Sequence, residues 1–215
     1  MTIILATASL VTLTVILLYI VQGILPFRMG FEFKRTVLSP TTSQITFTFD
    51  DGPDPEATPA ILDMLKKYNR KAFFFLIGEN AIKYPEIVER IFSEGHMIGN
   101  HSFSHPSMLF NRSSLIMNEL VKCQDAIKKI TGEVPRYVRP PYGQRDFRFY
   151  QQTENLGLTT ALWTHDTYDY LNVSDEFIRR RIFSAKPGDI ILSHDRYYKR
   201  PEVLRALDDW LALNG

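Results

Sequence analysis

The chain has 215 residues, of which 45% are hydrophobic and 23% charged, which suits one folded domain with a substantial buried core. Its 25 basic and 24 acidic side chains nearly cancel, so the overall charge argues against nucleic acid as a partner. The lone cysteine, Cys123, excludes an intramolecular disulfide and is expected to be a packing residue.

The first element in the chain is an apolar segment that predicts a membrane anchor. Residues 3–27 carry no charged side chain, and a helix of that length, at about 1.5 Å per residue, crosses a bilayer core of roughly 30 Å. We therefore divide the chain into an anchor at 1–27, a connector at 28–43 and a folded domain at 44–215. A cleaved signal peptide is the alternative, but it would want a basic leader, a shorter apolar core and a small-residue cleavage site.

The charges beside this segment bear on its orientation. Arg28, Lys34 and Arg35 follow the apolar residues, whereas no Lys or Arg precedes them. By the positive-inside tendency, this placement favours a cytoplasmic C-terminal domain.

After the connector, apolar strand-like runs alternate with amphipathic helix-like runs. The predicted strands are 45–49, 72–77, 96–99, 137–139, 158–163 and 189–193, and the predicted helices are 58–68, 80–94, 113–130, 174–184 and 201–213. This α/β alternation predicts a mainly parallel sheet with helical crossovers, either closed into a barrel or left open. Functional side chains are then expected at the carboxyl ends of the strands.

Acidic and imidazole side chains follow several of the predicted strands. They are Asp50, Asp51, His101, His105, Asp166, Asp169 and His194. One carboxylate and two neutral imidazoles can hold three positions around Zn²⁺ or a similar ion, while a second carboxylate stays available as a base. Taken singly, the Asp pair is typical of a turn and the His pair of a helix surface. Together they predict the site of a divalent-metal hydrolase.

Five short motifs in series identify a family resemblance. They are Thr48-Phe49-Asp50-Asp51-Gly52-Pro53, His101-Ser102-Phe103-Ser104-His105, Arg139-Pro140-Pro141-Tyr142-Gly143, Asp166-Thr167-Tyr168-Asp169-Tyr170 and Leu192-Ser193-His194. From about Gln44 onwards, the chain resembles the NodB-type polysaccharide deacetylases, also called carbohydrate esterase family 4. The resemblance implies a distorted (β/α) barrel, one bound metal, and hydrolysis of N-acetyl groups on aminosugars.

The resemblance also implies roles on the metal side of the site. Asp51, His101 and His105 match the metal ligands, and Asp50 matches the base that takes a proton from the attacking water. Arg139 matches the residue that orients this base and keeps it ionised. Zn²⁺ is the expected metal, with Co²⁺, Ni²⁺ and Mn²⁺ as alternatives, because such a ligand set accepts several ions.

On the opposite side of the site, His194 matches the general acid that protonates the leaving amine. Asp169 matches the partner that holds its imidazole and raises its pKa. The backbone N–H of Tyr142 matches the donor to the oxyanion. Tyr170 and Leu192 are expected to face the substrate.

Some polar and aromatic residues fit the family pattern less directly. Tyr170 stands where the fourth motif commonly ends in Trp, a difference that bears on substrate fit. His96 is expected to be structural, and His165 is a candidate for the cleft wall without a chemical step. The basic residues of segment 196–200 form either a contact for an anionic substituent or a solvated loop.

Functions from more than one class remain open. The first is a metal-dependent deacetylase of N-acetylglucosamine-containing polysaccharide or oligosaccharide, such as chitooligosaccharide, peptidoglycan or exopolysaccharide, anchored by its N-terminal helix with the catalytic domain outside the cytoplasm. The charges after the apolar segment favour an alternative, deacylation or deformylation of a membrane sugar-lipid at the cytoplasmic face. A catalytically idle sugar-binding relative is a further alternative, against which the presence of every matching site residue argues.

Overall fold

The computed structural model describes residues 44–195 and 201–214. The predicted anchor, the connector and the basic segment 196–200 lie outside the described residues. A search of the described residues finds no helix that is both long enough and apolar enough to cross a membrane.

The described elements mostly alternate between strands and helices, in agreement with the predicted α/β pattern. In chain order they are β1 (Thr46–Gly52), α1 (Ala57–Lys67), β2 (Phe73–Leu76), α2 (Gly78–Lys83), α3 (Pro85–Ser93), β3 (Met97–Asn100), α4 (Ser113–Thr131), β4 (Tyr137–Val138), α5 (Phe147–Asn155), β5 (Thr159–Thr160), β6 (His165–Asp166), α6 (Asp175–Phe183), β7 (Ile190–His194) and α7 (Pro201–Asn214). A 3₁₀ turn, Pro141–Gly143, lies between β4 and α5.

The seven strands form one sheet in the order β5-β4-β3-β2-β1-β7-β6, and every pair is parallel. β5 and β6 are consecutive in the chain but lie at opposite edges, so the segment between them crosses the open side of the sheet. Arg139, just after β4, reaches both Thr48 on β1 and Ala161 in that segment, which shows that the sheet curls around its own interior. The result is an incompletely closed barrel, in agreement with the predicted α/β class.

Side chains of the strands alternate between two buried faces. On the outer face, residues such as Phe47, Phe74 and Ile191 pack against the helices in the largest apolar cluster. Amphipathic helices supply the other half of this core, and α4 contributes Cys123, whose burial raises the pKa of its thiol to about 12. The prediction that Cys123 is a packing residue is confirmed.

The inner face of the curled sheet carries a second, smaller apolar cluster. Phe73 and Phe75 lie there, and all four residues of β2 are buried, so the strand predicted at 72–77 is confirmed. The guanidinium carbon of Arg139 lies 4.1 Å from the ring centroid of Phe75 and 5.7 Å from that of Trp163. Gly99 on β3 has no room for a side chain, because a Cβ there would lie 2.4 Å from Phe75 ring atoms.

The predicted helix at 80–94 is wrong, because two helices, α2 and α3, occupy this region. They meet at Tyr84, whose φ of −131° and ψ of 59° are not helical. Pro85 explains the break, since proline lacks an N–H and disfavours a helical conformation in the residue before it. The same proline then begins α3 at a position where no N–H is needed.

The predicted strand at 158–163 is also wrong in its extent. Only Thr159–Thr160 pairs with β4, whereas Ala161 and Trp163 pack in the barrel interior. The chain regains strand pairing at His165–Asp166, on the far edge beside β7. Asp166 therefore lies within a strand instead of following one.

Candidate active site

A pocket opens at the carboxyl ends of the central strands, as the parallel topology predicts. It has a volume of about 210 Å³ and is lined by Asp50, Asp51, His101, His105, Tyr142, Gly143, Trp163, Tyr170, Leu192 and His194. Asp166 does not line this pocket. Of the residues to which the resemblance assigns a role, only Arg139 and Asp169 are absent from the lining. Those two are buried behind it, where they contact Asp50 and His194.

An irregularity in β1 lets two adjacent aspartates line one pocket. Successive strand residues normally point to opposite faces. Here the pairing of β1 with β2 shifts register between Asp50 and Gly52, and Asp51 has a left-handed φ of 71°. This bulge-like feature turns the side chain of Asp51 to the same side as that of Asp50. β1 thus extends through both aspartates, beyond the end predicted for it.

Asp51, His101 and His105 form a cluster that suits a metal ion. Oδ1 of Asp51 lies 3.4 Å from Nε2 of His101 and 3.0 Å from Nε2 of His105. One donor atom from each residue falls within 4.8 Å of the others. Burial tends to raise the pKa of Asp51, but the electrostatic interaction of its carboxylate with both imidazoles outweighs burial and holds that pKa well below its usual value.

The protonation pattern of His101 is set by its other ring nitrogen. Nδ1 lies 2.8 Å from the carbonyl oxygen of Arg139. Because a carbonyl only accepts hydrogen bonds, Nδ1 donates, and Nε2 keeps its lone pair on the side of Asp51. The cluster therefore offers one carboxylate and two imidazoles, the donor set expected for Zn²⁺.

The loop that carries both histidines is not a helix, although their spacing is typical of one helix face. Ser102 and His105 have left-handed φ values of 66° and 61°. Glu119 on α4 accepts a hydrogen bond from the backbone N–H of Phe103, and the hydroxyl of Ser102 accepts one from that of His105. A hydrogen-bonded turn therefore brings the rings of His101 and His105 to a centroid distance of 5.0 Å.

Asp50 is held by a fully buried arginine. Nη1 of Arg139 donates to Oδ1 of Asp50 at 2.7 Å and to Oγ1 of Thr48 at 2.6 Å, while Nε donates to the carbonyl of Ala161 at 3.1 Å. Burial lowers the pKa of Arg139 and Asp50 opposes that effect, but a guanidinium stays charged. The other carboxylate oxygen of Asp50, Oδ2, lies 3.8 Å from Nε2 of His101, on the side of the metal cluster.

His194 is held by a buried carboxylate in the predicted manner. Oδ1 of Asp169 lies 2.8 Å from Nδ1 of His194, and Oδ2 accepts the backbone N–H of the same histidine at 2.8 Å. Burial alone would lower the pKa of His194, but the hydrogen bond to Asp169 and the charges of Asp169, Asp50 and Asp51 raise it to about 9. Nδ1 is therefore the ring nitrogen that Asp169 engages.

The base candidate and the acid candidate lie on neighbouring strands, since Asp50 pairs in register with His194. Two tyrosines flank them. The ring of Tyr142 contacts His105 edge-to-face at 4.6 Å, and the ring of Tyr170 contacts His194 in the same way at 5.2 Å. Tyr142 also has a left-handed φ of 58°. The pocket thus places a carboxylate and an imidazole on adjacent strands within an aromatic frame.

Two further histidines lie away from this chemistry. His96 is buried, its Nδ1 accepts the N–H of Ala72 at 3.2 Å, and burial lowers its pKa to about 4. The structural role predicted for it is confirmed. His165 donates through Nε2 to the carbonyl of Arg181 at 2.7 Å and does not line the pocket, so the cleft-wall interpretation is wrong.

Sequence analysis missed two supporting residues. Thr48 links Arg139 to the carbonyl of Ile191, to which its hydroxyl donates at 2.6 Å. Glu119 lies on the buried side of α4 beside Leu120, where an acidic side chain needs a partner. An acid within the apolar stripe of an amphipathic helix was the signal for Glu119, whereas Thr48 has no signal beyond its place in the first motif.

Comparisons with known proteins find a matching family model and similar proteins. The family model described as "Polysaccharide deacetylase" matches residues 39–161. A peptidoglycan-N-acetylglucosamine deacetylase of Bacillus cereus is 40% identical over 153 residues, which are 71% of this chain and 56% of that protein. A peptidoglycan-N-acetylmuramic acid deacetylase of Bacillus subtilis is 38% identical over 82% of this chain and 38% of its own length. A chitooligosaccharide deacetylase of Azorhizobium caulinodans is 35% identical over 71% of this chain and 74% of its own length.

Solved structures show the same fold. A peptidoglycan N-acetylglucosamine deacetylase matches with a TM-score of 0.74 and 36% identity, covering 82% of this chain and 86% of that one. A carbohydrate esterase family 4 pseudoenzyme from Bacillus anthracis matches with a TM-score of 0.73 and 28% identity, covering 82% and 63% of the two chains. The fold is therefore shared by proteins described as enzymes and by one described as a pseudoenzyme.

Proposed function

This chain belongs to the polysaccharide deacetylase family, and we propose that it hydrolyses the N-acetyl groups of N-acetylglucosamine-containing polysaccharide or oligosaccharide. The observation that carries the proposal is that one pocket brings together three side chains whose surroundings suit them to different chemical roles. Asp50 is held by a buried arginine, Asp51 lies between two imidazoles, and His194 is held by a buried carboxylate. This is the arrangement that amide hydrolysis needs: a base, an electrophilic centre and an acid.

Asp51, His101 and His105 would hold one divalent cation, for which Zn²⁺ is our first choice and Co²⁺, Ni²⁺ and Mn²⁺ are alternatives. The fit rests on the donor set itself, in particular on the lone pair that His101 keeps on Nε2 by donating through Nδ1. When bound, such a cation supplies Lewis-acid chemistry that activates water and polarises a carbonyl group.

Asp50 is the proposed general base. Its Oδ1 is engaged by Arg139, which leaves Oδ2, on the side of the metal cluster, to take a proton from the attacking water. The water oxygen adds to the acetamide carbonyl carbon, and the carbonyl oxygen becomes an oxyanion. The backbone N–H of Tyr142 is the proposed donor to that oxyanion.

His194 is the proposed general acid. Expelling an amine as an anion is prohibitive, so Nε2 of the protonated imidazole gives a proton to the amide nitrogen as the C–N bond breaks. The raised pKa of His194, about 9, keeps the ring protonated at neutral pH. The products are acetate and a free amine on the sugar.

Relatives described as peptidoglycan and chitooligosaccharide deacetylases support a carbohydrate substrate. The aromatic rings of Tyr142 and Tyr170 at the pocket suit the apolar face of a sugar. Leu192 lines the same pocket and is proposed to contact the acetyl methyl group. The distorted barrel of the family provides the frame for these contacts.

We also propose that residues 1–27 anchor the chain in a membrane and hold the catalytic domain outside the cytoplasm, near its substrate. The charges of Arg28, Lys34 and Arg35 favour the opposite orientation, with a membrane sugar-lipid as substrate at the cytoplasmic face. Reporter fusions at each end of the chain separate these proposals. A cytoplasmic C-terminus would exclude the cell-wall substrate.

The direct test is acetate release by the detergent-solubilised full chain. The substrates are chitooligosaccharides, peptidoglycan fragments and an N-acetylated sugar-lipid, each with added Zn²⁺ and with chelator. We expect release that chelator abolishes and Zn²⁺ restores, and the substrate that responds names the class. A folded protein that binds one metal and releases no acetate from any of them would contradict the proposal and favour the idle sugar-binding alternative.

A further inference from the structure

We infer that Asp166 is a positioning residue for this reaction, which fixes the ring of Tyr170 against the general acid His194 through the tyrosine hydroxyl. The inference rests on the proposed function for its kinetic consequences. It concerns the position at which the fourth motif commonly has Trp, a residue without a hydroxyl.

The carboxylate of Asp166 accepts hydrogen bonds from two later residues of the fourth motif. Its Oδ1 accepts the backbone N–H of Tyr168 at 2.7 Å, and its Oδ2 accepts the hydroxyl of Tyr170 at 3.1 Å. Its own carbonyl accepts Nε of Arg181 at 3.0 Å, and it pairs with Leu192 at the edge of the sheet. Both carboxylate oxygens therefore act within one turn, on a backbone that the sheet and α6 hold in place.

This turn carries the groups that surround the general acid. Tyr168 has a left-handed φ of 58°, a conformation that costs free energy in a residue with a side chain. The hydrogen bond from its N–H to Asp166 stabilises that conformation. The next residue, Asp169, accepts two hydrogen bonds from His194, and Tyr170 follows directly. A shift of the turn would therefore move both Asp169, which is hydrogen-bonded to His194, and Tyr170, whose ring contacts the imidazole of His194.

The hydroxyl is the feature that fixes the ring of Tyr170. The side chain is 40% exposed, so packing encloses it only in part. Its ring nevertheless contacts the imidazole of His194 at an interplanar angle of 74° and lines the pocket. Burial and the nearby carboxylate of Asp166 raise the pKa of Tyr170 to about 12, so the hydroxyl remains a donor under working conditions. The hydrogen bond to Asp166 therefore keeps the ring of Tyr170 at a fixed distance from the imidazole of His194.

The test is a double-mutant cycle on the full chain, with KM and kcat for a substrate that the wild type deacetylates. Tyr170→Phe removes only the hydroxyl. We expect it to raise KM about 5-fold, which corresponds to the loss of one hydrogen bond, and to leave kcat within about 2-fold of the wild-type value. In the Asp166→Ala background, the same change should alter KM less than about 2-fold, because the hydroxyl has lost its partner. Asp166→Asn should restore near-normal KM, since its amide still offers a polar partner to Tyr170.

Tyr168→Phe is the matched control. It also removes a tyrosine hydroxyl, but Tyr168 lies two residues before Tyr170 and its side chain does not line the pocket. It should leave KM unchanged. An equal effect of Tyr170→Phe in both backgrounds, or none in the wild type, would overturn the inference. A crystal structure of Asp166→Ala decides the point without activity: we expect the Tyr170 ring to move away from His194, and an unmoved ring would refute us. If the wild type deacetylates nothing, the proposed function fails while this structural measurement still applies.

Discussion

Asp50 and Asp51 are adjacent in the chain, yet their surroundings suit them to different tasks. Asp50 receives a hydrogen bond from Arg139 and faces His194 across the strand pair. Asp51 lies between the imidazoles of His101 and His105. A carboxylate between two imidazoles is suited to a cation, whereas one tied at a single oxygen by a guanidinium is suited to accept a proton at the other.

Asp50→Asn separates these tasks. The amide oxygen can still accept the hydrogen bond from Arg139, but it cannot take a proton, so we expect kcat to fall about 10²- to 10⁴-fold. Metal stoichiometry, measured by mass spectrometry of the purified protein, should not change. Asp54→Asn is the control, because Asp54 caps the start of α1 through Oδ1 and an asparagine can do the same. A near-normal rate for Asp50→Asn would exclude it as the base.

His101→Ala should abolish metal binding and activity together. Two ligands are left, and the carbonyl of Arg139 loses the hydrogen bond that orients the loop. His165→Ala is the comparison, since this histidine lies outside the pocket and its variant should still bind one equivalent of metal. Stoichiometric metal in His101→Ala would show that the ligand assignment is wrong.

Asp169→Asn should change the pH dependence of the reaction. A general acid must be protonated, so activity falls as the pH rises through its pKa. Asp169 raises the pKa of His194 above the ordinary 6.5, and removal of its charge should move the alkaline limb of the kcat profile to lower pH. Activity at pH 8 should therefore fall more than activity at pH 6. An alkaline limb that stays in place would argue that His194 is not the acid.

The short motifs predicted which side chains would meet at one pocket, whereas the chemical roles of these residues stay predictions. The residues to which the family resemblance assigns a role line the pocket or lie directly behind it. What could not be predicted is how they are supported, since Thr48 and Glu119 act through contacts between residues far apart in the chain. The prediction that His165 lines the cleft was wrong. It relied on proximity to the fourth motif in the sequence, which does not decide which face of a strand a side chain occupies.

At the scale of elements, long periodic segments were predictable and short ones were not. The strands β2 and β7 and the helices α1, α4 and α6 lie close to their predicted bounds. The helix α5 was not predicted. The helix predicted at 80–94 is divided by Pro85, and only two residues of the strand predicted at 158–163 pair with β4. Two-residue strands such as β5 and β6 depend on tertiary pairing, which a local pattern does not record.

Close packing between β2 and β3 gives a prediction at this scale. Gly99→Ala would place a Cβ 2.4 Å from ring atoms of Phe75, which itself packs on Arg139. We expect destabilisation of about 1–3 kcal/mol by urea unfolding, because overpacking forces strained side chains. Phe75→Leu makes room, so Gly99→Ala should cost less in that background. Equal costs in both backgrounds would show that Phe75 is not the obstacle.

At the scale of the whole molecule, the parallel sheet separates the entry of the chain from the site. The chain enters β1 at Thr46 and reaches Asp50 four residues later, roughly 13 Å along the strand. The pocket lies at the carboxyl edge, whereas the described chain begins at Gln44, just before the amino end of β1. The proposed anchor therefore precedes the part of β1 that lies farthest from the pocket.

This separation predicts that the proposed anchor affects where the domain works and not its chemistry. The full chain should sediment with membranes, whereas residues 44–215 should stay in the supernatant and deacetylate a soluble oligosaccharide with the same kcat/KM. Towards substrate held near the membrane, the truncated chain should be slower, because it loses the effective concentration that tethering provides. Intact full chain in the soluble fraction would contradict the anchor, and a shortened soluble product would favour the cleaved signal peptide. Loss of turnover by residues 44–215 on soluble substrate would instead show that the preceding residues contribute to the folded domain itself.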